Sequence, residues 1–124
     1  MEKLKIGIIG CGGIANGKHM PAIKQLDNVE MTAFCDIISE RAEKAAREYG
    51  TPDAKVYTDY RELLKDESIS NVRVLTQNNM HAEISIAAMR AKKHVMCEKP
   101  MAMNYAEAKE MLRVSKETGM ILTV

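Results

Sequence analysis

Residues 4–15 read LKIGIIGCGGIA. An apolar run from Leu4 to Ile9, broken only by Lys5, ends abruptly in the glycine cluster Gly10, Gly12 and Gly13. The run is of strand length, and the glycines mark a turn. Gly10, Gly12 and Ala15 stand at the spacing G-x-G-x-x-A. In a turn that leads from a strand into a helix, each of these small residues has a separate task. The first allows the sharp reversal, the second removes the Cβ that would hold a pyrophosphate away, and the third lets the helix pack on the strand. The N-terminus of the following helix adds backbone N–H groups and a partial positive charge. Gly10, Gly12, Gly13, Ile14 and Ala15 are therefore read as a phosphate cradle, with a helix from about residue 14 to 25 distorted at Pro21.

Outward from this loop, Val29–Cys35 reads as a second strand closed by Asp36. A carboxylate at that place, about 20 residues beyond the glycines, can accept both hydroxyls of an adenosine ribose and would repel a 2′-phosphate. The pattern thus favours NAD over NADP. Ser39–Tyr49 is a helix capped by Ser39, with Ala42, Ala45 and Ala46 on its apolar face and Gly50 at its end. Lys55–Tyr57 is a short strand, and Asp59 caps a short helix through Leu63 and Leu64. Residues 72–76 form a fourth strand and residues 80–91 the helix after it. His94–Cys97 is a fifth strand, broken by Glu98-Lys99-Pro100; Asn104 caps a helix to Thr118, and residues 120–124 begin a sixth strand. Strands that alternate with helices pair in parallel, because each crossover consumes a helix. The expected fold is α/β: a doubly wound, Rossmann-type parallel sheet of about six strands in three αβα layers, forming one domain over residues 1–124.

Composition narrows the partners. Lys and Arg number 18 against 17 Asp and Glu, a net charge of +1 that gives no footprint for nucleic acid or an anionic membrane. No apolar stretch approaches a membrane span. Cys11, Cys35 and Cys97 show neither paired spacing nor a His/Cys cluster, so no metal site is expected. An odd number of scattered thiols suits a reducing, cytoplasmic setting. Cys11 and Cys97 fall near the proposed site but have no paired base, and nucleophilic roles are rejected for them.

Two later segments carry a family resemblance. Residues 76–83, TQNNMHAE, and residues 93–100, KHVMCEKP, together with the opening GCGGIA, resemble the glucose–fructose oxidoreductase and inositol dehydrogenase family (Gfo/Idh/MocA). The resemblance covers the whole chain. It implies an oxidoreductase that acts on sugars, cyclitols or related hydroxy compounds with a nicotinamide cofactor. It also implies roles: Thr76 and Asn78 line the cofactor, and Glu98 bonds near the nicotinamide ribose. Lys99, the one catalytic residue expected in this chain, sits by the nicotinamide and the substrate hydroxyl and assists proton transfer. Pro100 sets the turn, with scope for a cis bond. His81 lies at a helix start near the cofactor, where it orients the turn or moves a proton. His19 and His94 are read as structural.

Three residues depart from the family pattern. Gln77 replaces a proline, which leaves the cofactor-lining turn in question; Lys92 stands where a glycine is usual, at a helix end that favours positive φ. Arg73 falls in a strand expected to be covered on both faces, where a charge is costly. The family's substrate domain, which supplies further acid/base residues, is expected to be absent from these 124 residues. The enzyme reading therefore belongs to a parent protein, and this chain is expected to bind cofactor without turnover. A non-enzymatic NAD-binding module and an engineered, self-associating scaffold are the competing readings. A homodimer is expected through apolar surface near Met101, Met103, Ile121 and Leu122 and through the open sixth strand.

Overall fold

The computed structural model describes residues 3–13 and 15–124, so the expected role of Ile14 lies outside the described residues. Six strands, β1 (Leu4–Ile9), β2 (Val29–Cys35), β3 (Lys55–Tyr57), β4 (Asn71–Val74), β5 (His94–Cys97) and β6 (Leu122–Thr123), form one sheet. Their order is β3-β2-β1-β4-β5-β6, and every neighbouring pair is parallel. The chain works outward from β1 to β3 and then jumps back to β4. That reversal opens a crevice above the carboxyl ends of β1 and β4, where ligands of such sheets bind.

The helices make the outer layers. On one face, Ile6 and Ile8 pack with Met31 and Phe34 under Met20, Ile23, Ala42 and Ala45. On the other, Ile9, Val72, Val74, Val95 and Cys97 pack under Leu63, Ile84, Met89, Met111 and Val114. The first set of helical residues belongs to α1 (Met20–Lys24) and α2 (Ser39–Tyr49), and the second to α3 (Tyr60–Leu63), α4 (His81–Arg90) and α5 (Tyr105–Thr118). The expected three layers are present.

Local chemistry explains most boundaries. Asp59 accepts from Arg61 N at the start of α3, and Asn104 accepts from Glu107 N at the start of α5. Gly119 ends α5 in the left-handed region at φ 77°. The expected cap on α2 is different. Ser39 is already helical, Ile38 is the cap position, and the Ile38 N–H is taken by Asp36 Oδ1 at 2.8 Å.

The glycine-loop helix is not a single α-helix either: a π-helical turn, Ala15–His19, precedes α1. Pro21 has no N–H to bond back one α-turn, and the wider turn before it absorbs that loss. The fourth strand ends at Val74 rather than residue 76, because its partner β1 stops at Ile9 where Gly10 turns away. The sixth strand contracts to Leu122–Thr123 and, among the described residues, pairs on one side only, with Val95 and Met96.

Arg73 resolves into a different picture from the one expected. It pairs in register with Ile8 and Met96, which puts it on the face that carries α1 and α2. Those helices pack on β1, β2 and β3. Beyond them, Asn71, Arg73, His94 and Met96 remain only half-buried and Thr123 is exposed. Among the described residues, helices cover one face of β4 and leave the other open. The Arg73 guanidinium rests 2.7 Å from Met96 Sδ, and partial burial draws its pKa below the ordinary arginine value.

Candidate functional site

Gly10 makes the site's first turn at φ 99°, and a Cβ there would lie 2.7 Å from the Leu75 carbonyl carbon and oxygen. Only glycine can hold both that conformation and that approach. The next two glycines are under no such constraint. A Cβ on Gly12 would meet only Arg41 Nη1 at 3.7 Å, and one on Gly13 would meet nothing within 4 Å. The fold itself thus requires Gly10, while the space beside Gly12 and Gly13 is open. Ala15 is fully buried beneath the loop, against Ile6 and Ile8.

Asp36 ties this loop to β2. Its Oδ2 accepts from Cys11 N at 2.9 Å, and its Oδ1 accepts from Ile38 N at 2.8 Å. Each carboxylate oxygen keeps a second lone pair that a ribose hydroxyl can use. Asn16 Nδ2 donates to the Cys11 and Gly12 carbonyls, at 2.9 Å in each case, and so holds the loop from its other side. A cleft of about 750 Å³ runs from Gly10 and Gly12 past Asp36 and Arg41 to Thr76 and Gln77. Four of the expected residues line it: Gly10, Gly12, Asp36 and Thr76.

Asn78, Glu98, Lys99 and Pro100 also follow β4 and β5 on the carboxyl edge, but outside the cleft lining. Gln77, at φ −62° and ψ 148°, heads a short 3-10 turn, Asn78–Met80. That φ is the value proline imposes, so glutamine keeps the backbone a proline would set. Lys99 and Asn78 are exposed, and the Lys99-Pro100 bond is cis.

His81 is completely buried behind the edge, with Nδ1 2.7 Å from Pro100 O and Nε2 3.0 Å from Thr76 O. It joins the two loops that follow β4 and β5. Both carbonyls only accept, so both contacts are hydrogen bonds when the ring carries two protons, and one when it is neutral. Of its two expected tasks, the geometry serves the orienting one. His94 Nδ1 accepts from Ile121 N at 3.0 Å, a contact at the β6 edge.

Burial decides the cysteines. Desolvation, followed by the nearby Asp36 charge, pushes the Cys11 and Cys35 thiols up to about 12. Burial also raises the Cys97 thiol. Such thiols stay protonated and are poor nucleophiles. Among the described residues, no group of three or more His, Cys, Asp or Glu side chains could hold a metal ion. No helix among them is long and apolar enough to cross a membrane.

Sequence reasoning missed two neighbours of the site. Arg41 reaches the glycine loop from α2, and its place five residues after Asp36, in the first turn of a clear helix, was a usable signal. His19, read as structural, has Nε2 2.5 Å from Glu98 Oε2. Seventy-nine residues separate that pair, and no local pattern announces it.

Comparison with known proteins gives a consistent result. Residues 4–124 match the Gfo/Idh/MocA family, described as an oxidoreductase family with an NAD-binding Rossmann fold. The chain is 34% identical over 116 residues to an inositol 2-dehydrogenase of Salmonella typhimurium, covering 94% of this chain and 34% of that protein. It is 37% identical over 116 residues to a 1,5-anhydro-D-fructose reductase of Ensifer adhaerens, covering 94% of this chain and 34% of that protein. A 3-ketoreductase from Actinomadura kijaniata, solved in complex with NADP and TDP-benzene, superposes with a TM-score of 0.90 at 29% identity. That match covers 98% of this chain and 36% of the ketoreductase. The chain spans about a third of the length of these relatives.

Proposed function

The chain belongs to the Gfo/Idh/MocA oxidoreductase family, and we propose that it cradles a nicotinamide dinucleotide along the carboxyl edge of its sheet for hydride transfer to or from a sugar, a cyclitol or a related hydroxy compound. The observation that carries this reading is the contrast between its glycines. Gly10 is demanded by the chain's own packing, whereas Gly12 and Gly13 border free space that a side chain could fill without a clash. A bare backbone that the fold does not require fits a group that must approach it closely, as a pyrophosphate does.

In this reading Gly10, Gly12, Gly13 and Ala15 form the phosphate side, with Arg41 adding a cation beside it. Asp36 takes the adenosine ribose through lone pairs left over from its two backbone contacts. Thr76 and Asn78 border the path toward the nicotinamide, Glu98 faces its ribose, and Pro100 with His81 behind it shapes that turn. Lys99 stands free in solvent to hold a substrate hydroxyl and take part in moving its proton. The bound dinucleotide would supply the hydride acceptor or donor. The relatives named for inositol and anhydrofructose motivate the substrate class.

NAD is the preferred cofactor, because the Asp36 carboxylate repels a 2′-phosphate. Arg41 on the same cleft moderates that preference, and the ketoreductase relative holds NADP. The free, buried cysteines suit a reducing, cytoplasmic setting. These residues supply the cofactor cradle and Lys99, and cofactor binding is the part of the reaction that they serve. Parallel titrations with NADH and NADPH, read by nicotinamide fluorescence, test the assignment. Tighter binding of NADH supports it; equal affinities would remove the role given to Asp36, and no binding of either would remove the whole reading.

A further inference from the structure

His19 ends the π-helical turn that follows the glycine loop, and Glu98 is the first residue after β5. In the sheet, β4 lies between β1 and β5, so the two residues come from elements on either side of it. Their side chains nevertheless meet, His19 Nε2 to Glu98 Oε2 at 2.5 Å, and both are largely shielded, at 15% and 24% exposure. Among the described residues His19 is the hydrogen-bond partner of the Glu98 carboxylate, and it occupies one oxygen only. The backbone of Glu98 is fixed independently, its N–H donating to Val74 O at 3.0 Å. The remaining freedom of Glu98 lies in its side-chain torsions, which cost free energy to order when a ligand binds.

We propose that His19 is a positioning residue: it clamps Glu98 Oε2 from the glycine-loop side, so that Oε1 is presented to the nicotinamide ribose. The inference rests on the reading that Glu98 faces that ribose. It gives the turn at Ala15–His19 a second task, since the segment that carries the phosphate side also sets the far end of the cofactor path. It also separates His19 from a residue that merely supports the loop. A loop-supporting histidine would matter to every ligand of the glycine turn. A clamp on Glu98 matters only to ligands long enough to reach that carboxylate.

The experiment uses the whole chain and two probes, NADH and ADP, the second lacking the nicotinamide nucleoside. His19→Ala is expected to weaken NADH about tenfold while leaving ADP within about twofold, consistent with the loss of one charge-assisted contact. His19→Gln, whose amide can still donate, should restore most of the NADH affinity. In a Glu98→Gln background, His19→Ala should cost NADH no more than about a further twofold, because the clamped carboxylate is gone. Should His19→Ala fail to fold, His19→Leu, which fills the space without a donor, carries the same expectation. Equal losses for NADH and ADP, or unchanged NADH affinity, would overturn the clamp while leaving the dinucleotide reading intact. An unmodified chain that binds neither probe would overturn that underlying reading, and the clamp with it.

Discussion

Lys92 adopts φ 67°, a left-handed backbone that side chains with a Cβ enter at a cost. It stands at the turn after α4, where the family pattern places glycine, and the sequence alone flagged the position correctly. Lys92→Gly should stabilise the chain by about 1 kcal/mol, the strain relieved outweighing the extra freedom of the unfolded glycine. A melting temperature about 3–6 °C higher would show it; an unchanged or lower value would mean the lysine is held there without strain.

Gly10, Gly12 and Asp36 were legible as a motif, but the two backbone bonds of Asp36 and the two carbonyl contacts of His81 depend on loops that only the tertiary fold brings together. Cys11 and Cys35 have an ordinary value of 9.0 and are raised to about 12 when folded. The folded chain therefore holds these protons more tightly than the unfolded one. That stability is complete below pH 9 and is lost as pH rises toward 12. Melts across this window should fall less steeply for Cys35→Ala than for the parent, and parallel curves would show that the burial has no such consequence.

Elements were easier to read than their surroundings. Strands β1, β2, β3 and β5 have the bounds that apolar runs and turn residues announce, because those signals are local. The end of β4 was misplaced by two residues, since it is set by where its partner β1 stops. The π-helical turn before α1 was visible only as a distortion at Pro21. The open face of β4 was not legible at all, because it depends on which strands α1 and α2 happen to cover. That face changes the expectation for Arg73. A charge enclosed by helices would be strongly unfavourable, whereas a half-buried one beside Met96 reaches water. Arg73→Thr should leave stability within about 0.5 kcal/mol, as surface substitutions do. Stabilisation of several kcal/mol in a denaturant melt would show that the arginine is enclosed after all.

For the molecule as a whole, the parallel sheet and its three layers were legible because alternating strands and helices allow few other arrangements. The outer surface was less so. Among the described residues edge strand β6 pairs with β5 alone, and Ile121 and Val124, which flank it, are 61% and 59% exposed. Of the other residues expected on this surface, Met103 is exposed, whereas Met101 and Leu122 are partly buried against the core. An unpaired edge with apolar neighbours is a template for another chain. We propose that the chain self-associates there, most simply as a twofold dimer. Light scattering should show mass rising with concentration, and Ile121→Lys should suppress the rise; a monomer at every concentration would exclude the interface.

If the glycine turn exists to admit a dinucleotide, Gly12→Ala should separate binding from folding. Open space at this position means that an alanine should not disturb the fold, while its Cβ would intrude on the pyrophosphate. Calorimetric titration with NADH should therefore show saturable one-to-one binding for the parent chain. Gly12→Ala should show a loss of at least about tenfold in affinity, with an unchanged melting temperature. Undiminished NADH binding by a folded Gly12→Ala chain, or no saturable binding by the folded parent, would rule out a dinucleotide role for the glycine turn.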